Sequence, residues 1–92
     1  MSENLDACRY FTSYSGAKLP LNLVGELAPD DMRNRNTFFR GTYDPAGLLI
    51  TCEKVVYGEI EMRHDYRYDT NGRLSRAEID DGSGEINVIE YA

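Results

Sequence analysis

Ninety-two residues, 41% of them hydrophobic, leave room for one small core, and a chain this short buries only roughly 60–65% of its unfolded surface. Sixteen Asp and Glu against ten Lys and Arg give a formal charge of −6, which opposes phosphate backbones at long range and argues against a nucleic-acid binder. No apolar run approaches the ~18–20 residues of a membrane span, and two cysteines are too few for a disulfide scaffold or a four-ligand zinc site.

The opening MSENLDACRYF has no basic stretch ahead of an apolar one, so it is not a signal peptide, and residues 1–7 read as a polar tail. This balance suits a soluble, cytoplasmic protein of bacterial type. In that reducing compartment Cys8 and Cys52 are free thiols, with a disulfide between them left open.

The stretch CRYFTSYSG (8–16) has the aromatic and β-branched content of a strand. In AKLPLNLVGEL (17–27), Leu19, Leu21 and Leu23 alternate with Lys18, Pro20 and Asn22, which predicts a half-buried strand. Pro20 demotes it to an edge or an extended connection. Pro29 at a first helical position, followed by Asp30 and Asp31, marks one short helix near 29–35, down to a 3₁₀ segment in length.

From Thr37 the pattern is strand upon strand: 37–43, 48–57, 59–68, 73–80 and 85–91, separated by turn residues. EIEMRHDYRY (59–68) alternates throughout, placing Ile60, Met62, His64, Tyr66 and Tyr68 on one face and charged residues on the other. The pattern is all-β, or β-rich α+β. It predicts one domain over 1–92 holding a single antiparallel meander of six to seven strands, strongly twisted or partly rolled.

Two of the turns share a frame. Tyr43-Asp44-x-x-Gly47-x-Leu49 recurs 25 residues later as Tyr68-Asp69-x-x-Gly72-x-Leu74. Gly three residues after Asp supplies positive φ where a tight loop closes, and the Tyr and Leu can pack across the stem. Asp44, Gly47, Asp69 and Gly72 are therefore turn residues; the motif turns strands and is not a ligand code. The frame resembles the YD repeat of large Rhs-type bacterial shell proteins over residues 42–91, and that resemblance implies hairpin geometry without the shell function. The whole chain, through YFTSYSGAKLPLNLV and RNRNTFFRGTYD, is also similar to a family of short bacterial proteins of unknown function. That likeness implies a size and a compartment but no activity.

Candidate chemistry is sparse. His64 is the only histidine, and a hairpin about Gly58 brings Cys52 opposite it, the arrangement of a thiol nucleophile in a small enzyme or redox protein. The competing reading is a core histidine satisfied by a Tyr hydroxyl or a carbonyl. The run Asp80-Asp81-Gly82-Ser83-Gly84-Glu85 lacks the spacing of a calcium loop and reads as a solvated turn. No phosphate-cradling glycine loop is present, and neither a metal nor a cofactor is expected.

The least ordinary stretch is MRNRNTFFRG (32–41). Its Arg33, Arg35 and Arg40, with Asn36, have the chemistry to grip a carboxylate or phosphate, or to offset the chain's own acids. The expectation is a non-enzymatic interaction or regulatory module. Its partner is a protein or a small anionic ligand, with no nucleic acid and no membrane, and the chain is a monomer or a homodimer through an edge strand.

Overall fold

The structure is a computed structural model and describes residues 7–16 and 18–91. It is one open antiparallel sheet: β1 (Ala7–Ser15), β2 (Asn22–Leu27), β3 (Thr37–Tyr43), β4 (Leu49–Val56), β5 (Glu59–Tyr68), β6 (Leu74–Asp80) and β7 (Ile86–Glu90). Strand order is β2-β1-β3-β4-β5-β6-β7, so only the first hairpin departs from a simple meander. No helix among the described residues is long and apolar enough to cross a membrane.

The expected helix near 29–35 is a single 3₁₀ turn, Pro29–Met32. Asp31 reaches back 3.0 Å to the Ala28 N–H, closing the turn after one cycle. Residues 1–6 of the expected tail lie outside the described residues, and Ala7 already belongs to β1.

A lone sheet must cover one apolar face or roll up. This one stays open, with β2 and β7 as its two edges. The β1–β2 connection is laid over the core face instead. Leu19 packs on the core, Leu21 and Leu23 are buried in it, and the Leu21 N–H donates to the Tyr66 hydroxyl on β5 at 3.3 Å. The leucine alternation read in 17–27 thus serves a strap over residues 18–21 and then an edge strand.

Beneath the strap lie Phe11, Phe39, Leu49, Cys52, Tyr66 and Ala77. Gly41 leaves room for the Leu23 side chain of β2: a Cβ there would stand 2.7 Å from Leu23 Cδ1. The described residues measure 42 × 39 × 25 Å along their principal axes.

The alternation in β5 holds for Met62, His64, Tyr66 and Tyr68, but Ile60 leaves the row and is 50% exposed. Pairing with β4 slips between Lys54 and Val55, and such a bulge rephases which residues face the core.

Both Tyr-Asp-x-x-Gly turns close identically. In the first, Asp44 Oδ1 accepts the Ala46 and Leu48 N–H groups, each at 2.9 Å. In the second, Asp69 Oδ1 accepts Asn71 at 2.8 Å and Arg73 at 3.0 Å. Tyr43 lies opposite Leu49, and Tyr68 opposite Leu74. The Tyr68 hydroxyl also donates 2.6 Å to the Leu49 carbonyl, tying the second hairpin to the first.

Gly47 and Gly72 have φ of +90° and +79°, and a Cβ at either would meet nothing within 4 Å. The cost of Gly→Ala is therefore backbone strain alone, and each change is expected to lower unfolding free energy by about 1–2 kcal/mol. Urea denaturation measures it; an unchanged midpoint contradicts the turn geometry.

Candidate functional site

A concavity lies on the face away from the core, at the β2 end of the sheet. It is a groove of about 530 Å³ lined by Cys8, Arg9, Tyr10, Glu26, Leu27, Pro29, Met32, Phe38 and Arg40, a size in the range of small-molecule sites. Four segments build it. Register sets Tyr10 of β1 between Leu27 of β2 and Arg40 of β3. Phe38, two residues from Arg40 on the same face, meets the Tyr10 ring edge-on at 5.6 Å. The 3₁₀ turn brings Pro29 and Met32 over this row, so the groove has an apolar side (Leu27, Pro29, Met32, Phe38) and a polar one (Cys8, Tyr10, Arg40).

Arg40 is held from beneath. Its Nε donates to Glu53 Oε1 at 2.8 Å, Arg63 Nη1 donates to Glu53 Oε2 at 3.3 Å, and Arg63 Nε reaches Asp65 at 3.0 Å. Arg40, Glu53 and Arg63 are register partners across β3, β4 and β5, so the sheet itself lines up the charges. Glu53 is only 6% exposed although it is ionic, which is consistent with pairing on both sides.

This contact uses one of Arg40's five N–H donors. Arg40 lines the groove together with Tyr10 and Cys8. Hydrogen bonding to Cys8, then burial, raises the Tyr10 hydroxyl pKa above its ordinary value against the opposing pull of Arg40. The phenol thus stays a neutral donor at physiological pH.

The arginines read together from sequence are dispersed. Arg33 pairs with Asp30 at 3.3 Å in the open, and Arg35 Nε lies 3.4 Å from the Thr37 carbonyl. Asn36 contributes its backbone carbonyl, which accepts the Tyr57 N–H at 2.6 Å and pins the β4–β5 hairpin. Of the four residues only Arg40 lines the groove. Cys8, Tyr10, Leu27, Pro29 and Met32 were not foreseen, because their meeting depends on pairing between segments remote in sequence. The one local hint is Pro29 and Met32, apolar within the polar 28–36.

Cys8 and Cys52 are both free. Cys52 does lie opposite His64. It is 0% exposed, and burial pushes its thiol up to about 12, so no thiolate forms near neutrality. His64 Nδ1 is 2.7 Å from the Tyr66 hydroxyl, which also accepts from the Leu21 N–H; with Nδ1 unprotonated, the hydroxyl donates to the imidazole. That arrangement needs a neutral ring, and burial lowers the His64 pKa against the weaker pull of Asp65.

Below the unfolded value near about 6.5 the unfolded chain binds a proton that the folded chain resists, so stability present above that pH declines as pH falls through it. Urea midpoints between pH 8 and 5 should drop, with the slope reduced in His64→Gln; an equal slope in both proteins contradicts the assignment.

Searches of curated proteins and of solved structures returned no match. A family model does match over residues 3–92, nearly the whole chain, and on that match the protein belongs to the family of unknown function DUF6156.

Proposed function

We propose that this chain is a non-enzymatic binding module whose groove takes a small anion with an apolar body. The observation that carries the reading is Arg40. Glu53 fixes its guanidinium from below, while its remaining donors border an apolar-walled groove of ligand size. A carboxylate or phosphate there gains a charge-assisted, bidentate contact from Arg40 and a hydrogen bond from Tyr10, and its hydrocarbon part lies on Phe38, Met32 and Leu27. The two free thiols fit a reducing compartment such as the bacterial cytosol. Burial of Cys52 weighs against thiol chemistry there.

The test is a thermal-shift and calorimetric screen of short-chain and aromatic carboxylates and phosphates at matched ionic strength. At least one should stabilise the wild type in a saturable manner. Arg40→Lys keeps a charge for Glu53 but loses the planar fork, and should weaken that ligand about tenfold or more. If no anion exceeds the effect of matched salt, the groove is not an anion site.

A further inference from the structure

We infer that the opposite edge of the sheet, β7, is a docking site for an extended peptide that has alternating apolar side chains followed by a basic segment. It is separate from the groove, which lies at the β2 end.

Exposed edge strands are ordinarily short, charged or covered, because their unpaired backbone groups recruit other strands. β7 is short, but apart from Glu90 it is uncharged, and no strand among the described residues pairs with its outer edge. All five of its residues are exposed, with Ile86 60% and Val88 47% open. Ile86 and Val88 share the face of their partners Asp80 and Glu78, whereas Ile89 lies beside Ala77 on the core face. The strand is therefore apolar on both faces at an open edge.

Its backbone is available as well. The Tyr91 N–H donates to the Ser75 carbonyl at 2.9 Å, so residues 91, 89 and 87 turn their ladder groups toward β6. By alternation the N–H and C=O groups of Ile86, Val88 and Glu90 point outward, ready for an added strand.

Charge selects the guest. Asp80, Asp81 and Glu85 crowd the start of β7, and the loop between β6 and β7 lies against β5 at Glu61. None of these four acids makes an ion pair among the described residues. A guest running antiparallel, as every neighbour in this sheet does, places its C-terminal part beside them. That orientation calls for Lys or Arg following the apolar alternation. A second copy fits less well: two-fold pairing of β7 about Val88 sets Ile86 against Glu90, each chain carries −6, and a five-residue edge falls well short of the ~800 Å² per partner of a stable dimer.

The probe is a fluorescein-labelled peptide of alternating Val and Thr with a Lys-rich C-terminal tail, compared with the same peptide bearing a Glu-rich tail. Anisotropy titration should show the Lys peptide binding about tenfold tighter or more at low salt, with the gap narrowing as salt is added. Amide exchange should slow at Ile86, Val88 and Glu90.

Val88→Pro removes an N–H that β6 does not use, and Val88→Lys keeps the backbone but adds charge to the apolar edge. Either variant, if folded by circular dichroism, should lose binding, whereas Arg40→Lys should leave it unchanged. The inference is overturned if the Glu peptide binds equally well, if exchange slows elsewhere or nowhere, or if Arg40→Lys abolishes binding. It is equally overturned if light scattering shows a wild-type dimer that Val88→Lys converts to monomer, since the occupant is then a second copy.

Discussion

Glu53→Ala is expected to destabilise the protein by about 3 kcal/mol, the low end for removing one partner from a buried ion pair. The carboxylate bridges Arg40 and Arg63 and is almost fully buried, whereas the Arg40 side chain keeps 30% exposure and so regains part of its hydration. Arg63 retains Asp65 after the change, so most of the loss falls on Arg40. Denaturation in urea checks the value, and a loss under about 1 kcal/mol would place this pair with ordinary exposed ones. A compensated variant, Glu53→Leu with Arg40→Met, should recover much of the stability, because no charge is then stranded. The same variant should lose the groove's anion response, which separates the stabilising use of Arg40 from its binding use.

Tyr66→Phe should cost about 2–4 kcal/mol, more than the loss of one ordinary hydrogen bond. The buried hydroxyl serves two groups, accepting from the Leu21 N–H and sharing a hydrogen bond with His64 Nδ1, and its removal leaves both unpaired at roughly 1–3 kcal/mol each. Volume is nearly conserved, so cavity formation adds little. The loss should concentrate in the strap: amide exchange at Leu21 should accelerate more than that of the β4–β5 ladder. A denaturation midpoint equal to that of the wild type would show that water or another group satisfies these atoms, and would remove the hydroxyl's role as the strap's anchor.

The most legible features were those whose cause is local. Asp44 with Gly47, and Asp69 with Gly72, specify a loop through a side-chain oxygen and a positive φ, both contained within a few residues. Period-two alternation placed Met62, His64 and Tyr66 on one face, and the tight turn at Gly58 put Cys52 opposite His64. Where a bulge intervened, as before Val55, the same alternation misplaced Ile60, since one extra residue reverses the facing of the strand beyond it. The arginines of 33–40 looked like one cluster because they are close in sequence, but a turn and a strand point them to different surroundings.

By itself, then, the sequence determined the strands from Thr37 onward, the two Asp-Gly turns and the placing of His64 opposite Cys52, all consequences of period-two patterning and short-range hydrogen bonding. Tertiary structure alone decided that β2 lies outside β1, that Leu21 reaches Tyr66 across the core face, that Glu53 is clamped between two arginines, and that Tyr10, Met32, Phe38 and Arg40 border one groove. Each of these depends on which strands become neighbours. That choice is made by burial summed over the whole sheet, a quantity no short stretch of residues carries.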